Sequence, residues 1–98
     1  EIADSTVELK DSSLGTRLYN RGTVTYDNVE HEQINGDPET LISNYGTLTI
    51  NDGKITGKNL GTCYGCNGAA IQNGGVMTVD GAEFELADIH SGINAGIY

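Results

Sequence analysis

Two cysteines separated by two residues are the first candidates for chemistry in this sequence. Cys63 and Cys66 occur in the stretch GTCYGCNG. A CxxC pair is a redox motif when it opens a helix, because the helix N-terminus lowers the thiol pKa. No helix signal follows Cys66. Three alternatives therefore stay open: a local disulfide that braces a long loop, two free thiols, or a metal or redox role.

Histidines add little to these thiols. A zinc site would need two further ligands. His31, however, falls in a predicted strand that is distant in sequence from both cysteines, and His90 falls in another predicted loop. We therefore expect neither a metal nor another cofactor. His31 is predicted to be a partly buried histidine with a hydrogen-bond partner, or the mark of a local register slip that turns Val29 inward.

A repeat determines where the remaining polar residues lie. Asn20, Asn44 and Asn73 open three similar stretches, YNRGTVTYD, SNYGTLTIND and QNGGVMTVDG, in which a glycine follows two residues after each asparagine. Counted along the equivalent residues Leu18, Ile42, Ile71 and Ile97, the successive steps of the repeat are 24, 29 and 26 residues. We expect these Asn-x-Gly units to be corners, because glycine adopts the positive φ that a sharp turn requires and asparagine tolerates it.

Alternation with a period of two residues predicts which side chains of each unit point inward. Shared columns are predicted for Val7, Val24, Leu48 and Met77; for Leu9, Tyr26, Ile50 and Val79; for Leu14, His31, Ile55 and Phe84; and for Leu18, Ile42, Ile71 and Ile97. Like residues that return about every 25 positions, with three short strands per period, describe a chain that coils so that each round lies on the previous one.

We therefore predict that residues 1–98 form a single all-β domain, a right-handed parallel β-helix (β-solenoid) of about four rungs of 24–29 residues. The differences in step length are assigned to loops at one corner, at residues 33–40, 57–67 and 86–94. An antiparallel sandwich is the competing fold, but it does not require equivalent residues to recur in four columns. The domain is expected to be a segment of a longer solenoid or a subunit that stacks head to tail.

Carboxylates provide one alternative function on this framework. The register places Glu32, Thr56 and Glu85 in one outward column, so the two carboxylates lie about 9.6 Å apart, at the edge of the separation used by inverting glycoside hydrolases. In the neighbouring column, Lys54 lies between Glu30 and Glu83, where a lysine relieves repulsion on a solvated sheet. We assign no catalytic residue and keep a polysaccharide-active enzyme as one of two alternative functions, the other being an ice-binding β-solenoid.

The outer side of the first sheet carries a second set of candidates. One column contains Thr6, Thr23 and Thr47 and ends at Val76, and its neighbour contains Glu8 followed by Thr25, Thr49 and Thr78. This Thr-x-Thr array resembles the ice-binding face of antifreeze β-solenoids, although threonine also suits any exposed strand position. Tyrosines near the corners, Tyr19, Tyr45 and Tyr64, have faces suited to stacking on sugars or packing on a protein partner.

Two stretches resemble the repeats of bacterial surface β-helices, notably autotransporter passengers and polymorphic outer membrane proteins. The stretches are NGAAIQNGGVMTVDGAEF and FELADIHSGINAGIY, and the family units carry GGAI and FxxN motifs. GGAI appears here as Gly68-Ala69-Ala70-Ile71 and Asn94-Ala95-Gly96-Ile97, and FxxN as Phe84-Glu85-Leu86-Ala87 without its Asn. The resemblance implies a pectate-lyase-like β-helix at the bacterial cell surface, with a role in adhesion, display or a stalk.

Charge limits the classes of partner. The formal net charge is −9, with five Lys or Arg against fourteen Asp or Glu, which disfavours binding to nucleic acid or an anionic membrane. No apolar run approaches the roughly 18 residues that cross a bilayer. We expect a non-enzymatic extracellular adhesin, stalk or fibre subunit, whose partners are further copies of the chain, or a host or surface glycan or protein.

Overall fold

Strands make up most of the computed structural model, which describes residues 2–33, 40–58, 69–87 and 96–97. The strands are β1 (Ile2–Lys10), β2 (Ser13–Leu14), β3 (Leu18–Asp27), β4 (Glu30–Glu32), β5 (Ile42–Asn44), β6 (Thr47–Asn51), β7 (Lys54–Lys58), β8 (Ala69–Asn73), β9 (Val76–Asp80), β10 (Glu83–Ala87) and β11 (Gly96–Ile97). In these ranges, no helix has the length and apolar character needed to cross a membrane.

The strands form two sheets in which every pairing is parallel. The smaller sheet has the order β10-β7-β4-β2, and the larger has the order β11-β8-β5-β3-β6-β9, with β1 also paired to β3. One of the two sheets is strongly curled. The N-terminal part of β3, Leu18–Asn20, pairs with β5, whereas its C-terminal part, Thr23–Asp27, pairs with β6. The prediction of an all-β chain with parallel strands is therefore confirmed.

The strand register agrees with the columns predicted from the repeat. Val24 pairs with Leu48 and Leu48 with Met77, and Val7 pairs with Val24 on the other side. The columns Leu9-Tyr26-Ile50-Val79, Leu14-His31-Ile55-Phe84 and Leu18-Ile42-Ile71-Ile97 also occur as predicted. Each strand thus places the same kind of side chain over its neighbour, which extends a narrow apolar core from strand to strand.

The core is complete in the middle of the sheets and only partly covered at both edges, where Val7, Leu9 and Leu14 at one edge are half-buried. The buried hydrophobic residues are Leu18, Val24, Tyr26, Val29, Leu41, Ile42, Leu48, Ile50, Ile55, Ala70 and Ile71. Met77 and Phe84 are only partly buried, and Val79, which we expected inside, is 41% exposed. No described strand pairs with the far side of β9 or β10, so these inward side chains lack a covering layer.

The predicted loops lie mostly outside the described residues. The strands on either side of them nevertheless show at which corner the length of the repeat varies. β4, β7 and β10 each precede one of these segments, and β5, β8 and β11 follow them. β7 continues to Lys58 and β10 to Ala87, so residues 57–58 and 86–87, which the repeat assigned to loops, belong to strands.

The prediction that the Asn-x-Gly units supply positive φ is wrong. In the described residues, positive φ occurs at Asp11 (47°), Asn28 (57°), Asp52 (54°), Gly53 (81°) and Gly81 (78°). Asp11, Asn28, Asp52 and Gly81 each follow the last position of one strand column, Lys10-Asp27-Asn51-Asp80. The left-handed corner is therefore in the second turn of the repeat, and β3 runs through Asn20 and Gly22 without a break.

Close packing of the backbone explains the glycines of the Asn-x-Gly units. A Cβ added to Gly46 would lie 2.1 Å from the carbonyl oxygen of Gly22, and one added to Gly75 would lie 2.2 Å from that of Gly46. These contacts involve backbone atoms, which cannot rotate away as a side chain does. Glycine is required here because successive strands approach too closely for any Cβ.

Alanine in place of Gly46 is expected to lower the free energy of unfolding by about 3 kcal/mol, because the β3 and β6 backbones must separate to admit the Cβ. Gly74→Ala is the matched control. Its Cβ would meet the Tyr45 ring at 2.9 Å, and a surface ring can move aside. Urea unfolding followed by circular dichroism measures both, and equal losses in the two variants would contradict the close-approach explanation.

Candidate functional site

The threonine face consists of Thr6, Thr23, Thr25, Thr47, Thr49 and Thr78, on the outer side of β1, β3, β6 and β9. Its two columns have the predicted register, Thr6-Thr23-Thr47-Val76 and Glu8-Thr25-Thr49-Thr78. Glu8 interrupts one end, and Val76, which is 60% exposed, interrupts the other. Only Thr23, Thr25, Thr47 and Thr49 form a complete two-by-two array, a small area for ordering water.

Two tyrosines lie close together beside the threonine face. The ring centroids of Tyr19 and Tyr45 are 5.4 Å apart at an interplanar angle of 47°, and the residues are 42% and 44% exposed. The Tyr45 ring also packs over Gly74, where an added Cβ would lie 2.9 Å from its Cδ1. These rings form an exposed aromatic surface of the kind that binds sugars or protein side chains. Tyr64 lies outside the described residues.

The carboxylate groove is a concavity of about 560 Å³ lined by Glu32, Gln33, Thr56, Gly57, Phe84, Glu85 and Leu86. Glu32 pairs with Thr56 and Thr56 with Glu85, as the repeat predicted. With one strand between them, the two carboxylates are about two strand spacings, or 9.6 Å, apart. The groove thus combines two carboxylates with the partly apolar surface of Phe84 and Leu86.

Lys54 determines the local electrostatics of the groove. Its backbone lies between Glu30 and Glu83 as expected, but its Nζ contacts the diagonal Glu85 Oε1 at 3.2 Å. The hydrogen bond and charge of Glu85 raise the pKa of Lys54, and Glu83 and Glu30 act in the same direction. Both partners are solvent-exposed, so the ion pair contributes little to stability. Glu85 is thus engaged by Lys54 and not directed across the groove at Glu32.

The asparagine ladder, formed by Asn20, Asn44 and Asn73, is a polar column inside the larger sheet. Asn20 Nδ2 donates to Asn44 Oδ1 at 2.8 Å, and Asn44 Nδ2 donates to Asn73 Oδ1 at 2.7 Å. Asn20 and Asn44 are completely buried. The repeat predicts corners at these residues and does not reveal this role. The available signal was the alternation that starts at Leu18, which gives Asn20 the same inward orientation as Val24.

Backbone groups complete the hydrogen bonding of the ladder. Asn20 Nδ2 also donates to the Thr47 carbonyl at 3.0 Å, and Asn44 Nδ2 donates to the Val76 carbonyl at 2.9 Å. The Gly22 amide donates to Asn20 Oδ1 at 2.9 Å. The buried amides are thereby satisfied along the whole column, which is what a buried polar network needs in order to stabilise a fold.

His31 is a fully buried structural residue with two partners. Its Nε2 is 2.6 Å from the Thr16 carbonyl and its Nδ1 is 2.8 Å from the Tyr26 hydroxyl. Because a carbonyl only accepts, Nε2 carries the proton and Nδ1 accepts from Tyr26. The predicted hydrogen bonding is confirmed. The register does not slip, since His31 pairs with Leu14 and Ile55 while Val29 is also buried.

Burial makes the fold sensitive to mild acid at His31. Burial lowers its pKa below the ordinary value of 6.5, although the bond to the Thr16 carbonyl opposes this shift. The unfolded chain therefore binds the proton first as the pH falls, so the stability that is present above pH 6.5 declines below it. The neighbouring groups are neutral, namely Tyr26, the Thr16 carbonyl, Leu14 and Ile55.

We expect the urea midpoint of unfolding to decrease as the pH is lowered from 7.5 to 5.5, a range that lies above the pH at which ordinary carboxylates titrate. His31→Gln should remove most of this dependence, although the variant is less stable overall. The matched control is His90→Gln, which should keep it. A slope that survives in His31→Gln and disappears in His90→Gln would contradict the assignment.

Other predicted site residues lie where the structure does not test them. Cys63, Cys66 and His90 are outside the described residues, so the disulfide, free-thiol and metal alternatives all stay predictions. In the described ranges, no cluster of three or more His, Cys, Asp or Glu side chains is placed to hold a metal ion. No protein-family model, curated protein or solved structure matches this chain.

Proposed function

We propose that this chain is a right-handed parallel β-helix that serves as a non-enzymatic structural or adhesive module, in a surface adhesin, stalk or fibre. The observation that carries the proposal is the continuity of its ladders. Apolar columns, the asparagine ladder and the parallel backbone pairings all run from one strand to the next in the same register. The most regular feature of the chain is thus one that allows the fold to be extended by further layers.

Backbone hydrogen bonds between successive layers support a mechanical role. At the second turn, the Asp11, Asn28 and Asp52 amides donate to the Asp27, Asn51 and Asp80 carbonyls at 2.8–2.9 Å. At another corner, the Leu18 amide donates to the Leu41 carbonyl, and the Leu41 amide to the Ala70 carbonyl. These bonds point along the direction in which layers are added. A rod built this way resists extension through many bonds at once.

The adhesive part of the proposal is assigned to the surface around Tyr19 and Tyr45. Their exposed rings contact each other, and the exposed Val76 pairs with Thr47 of the threonine face. Aromatic faces flanked by hydroxyls suit a glycan or a protein partner. The acidic charge disfavours nucleic acid. An extracellular location at the bacterial surface is proposed from the resemblance to surface β-helices.

A polysaccharide-active enzyme is the second candidate, because one concavity contains both Glu32 and Glu85. Their spacing of about 9.6 Å is at the upper limit for an inverting hydrolase, in which a water molecule must fit between carboxylate and sugar. The ion pair between Lys54 and Glu85 and the open, solvated position of the groove favour the non-enzymatic role, since general acid catalysis needs a protected proton donor.

One panel of immobilised polysaccharides separates these functions by scoring both binding and chain shortening. We expect no shortening by the native chain and no change on Glu32→Gln or Glu85→Gln, with Glu30→Gln as the control outside the groove. Any binding should fall at least tenfold in Tyr45→Ala and persist in Glu32→Gln. Shortening that is lost in Glu32→Gln would overturn the non-enzymatic proposal.

A further inference from the structure

We infer that a second copy of this chain docks its β1–β2 edge on the β9–β10 edge of the first, so that both sheets continue in parallel register. The inference rests on the proposed structural role and names its partner. In the described residues, β1 and β2 are open on one side, and β9 and β10 are open on the opposite side. Such edges pair readily with another strand of matching register.

The layers at the β9–β10 edge and at the β1–β2 edge are incomplete in complementary ways. At one end, β11 lies on β8, while no described strand continues beyond β9 or β10. At the other end, β1 and β2 lie beside β3 and β4, but the Leu18–Asn20 part of β3 has only Ile2 opposite Asn20 on that side. The layer that β11 begins is therefore the layer that β1 and β2 of a second copy would complete.

Backbone polarity matches across the two edges. The Val76 amide donates to the Gly46 carbonyl, toward β6. Because successive residues of a parallel strand bond to opposite sides, the amides of Met77 and Val79 point to the open side of β9. On β1, the Asp11 amide points toward β3, so Glu8 and Lys10 present their backbone groups to the open side. Parallel pairing requires this offset of one residue.

The side chains on the two edges are of matching type. Extending the column register by one layer places Val7 over Met77, Leu9 over Val79 and Leu14 over Phe84. All six are apolar and at least partly exposed. The partially exposed core of one edge would thus be covered by the partially exposed core of the other, as Leu48 is covered between Val24 and Met77.

One further contact expected between the two copies is a pair of opposite charges. Lys10, Asp27, Asn51 and Asp80 form one outward column, so a second copy would place its Lys10 beside Asp80. The net charge of −9 on each copy opposes association at long range. Salt screens that repulsion between whole copies. We therefore expect tighter association at 0.5 M than at 0.05 M salt, since the general repulsion exceeds the attraction of a single exposed pair.

Analytical ultracentrifugation of the folded chain tests the inference directly. We expect species larger than a monomer and, at high concentration, filaments in electron micrographs. Asp80→Lys should weaken association about tenfold, because it places two lysines side by side. Glu32→Lys is the matched control, since it changes the net charge equally on a strand inside the sheet and should not weaken association.

Mixing two variants provides a rescue. Asp80→Lys and Lys10→Asp should each associate poorly alone but associate together, since each junction in the mixture again joins a lysine to an aspartate. Circular dichroism of each variant is the check that it is folded. Lys10→Asp adds a negative charge beside Asp27 and could therefore unfold the chain. In that case, the difference in association between Asp80→Lys and Glu32→Lys still tests the docking of the two edges.

Two results would overturn the inference. One is a folded native chain that stays monomeric at high protein and salt concentrations, and the other is equal weakening by Asp80→Lys and Glu32→Lys. Neither result concerns the proposed function, which fails separately if the chain shortens polysaccharides through Glu32. A stacked chain with hydrolytic activity would therefore reject the proposed function alone.

Discussion

Replacing Asn44 with alanine is expected to lower the free energy of unfolding by about 4 kcal/mol. The substitution removes a fully buried amide that accepts from Asn20 and donates to Asn73 and to the Val76 carbonyl. Each partner left without a hydrogen bond in the interior is destabilised by about 1–3 kcal/mol, and alanine also leaves a small cavity. The estimate is below the sum of these values because Asn20 keeps its bond to the Thr47 carbonyl.

Asn73→Ala is the matched control for this prediction. Asn73 is at the more exposed end of the same column, where its Nδ2 donates to the Gly75 carbonyl at 3.3 Å. We expect a loss of about 1 kcal/mol, since water can replace the missing partner. Urea or thermal unfolding of the two variants provides the comparison. Equal losses would show that the buried ladder is not a specific source of stability.

Leu48→Ala is expected to lower the free energy of unfolding by about 3–4 kcal/mol. Leu48 is completely buried and lies between Val24 and Met77 in one apolar column. Truncation in such a site removes hydrophobic burial and leaves a cavity that the flanking strands cannot collapse to fill, because their spacing is fixed by backbone hydrogen bonds.

Met77→Ala tests the same column one layer further on. Met77 is only partly buried, so its truncation should lower stability by about 1 kcal/mol under conditions in which the chain is monomeric. The difference between Leu48 and Met77 is the informative quantity, and urea denaturation at low protein concentration measures it. A larger loss for Met77→Ala than for Leu48→Ala would contradict the edge position of β9.

Much of the fold could be predicted because the repeat and the alternation along strands carry independent information. The repeat aligns Val24 with Leu48, and the alternation gives both an inward orientation. His31 follows the same rule, since its column position predicted burial beside Ile55 even though its side chain is polar. The outward positions of Glu32 and Glu85 required no further information.

Other features depend on distances that no pattern of residue types contains. The glycine at position 46 indicated a turn, but its cause is a carbonyl oxygen of Gly22 on another strand. Lys54 was placed correctly along the chain, yet its long side chain reaches the diagonal Glu85. The contact between Tyr19 and Tyr45 likewise depends on how two layers approach each other. Exposure of Val79 depends on what lies beyond β9.

The layered register is the claim on which the other assignments depend, and methyl NOEs measured by NMR test it most directly. The register predicts contacts from the Leu48 methyls to the methyls of Val24 and Met77, each one strand spacing of about 4.8 Å away. It also predicts a much weaker or absent contact between Val24 and Met77, which are about two spacings apart. If the Leu48 methyls contact neither residue, the register and every surface assigned from it are contradicted.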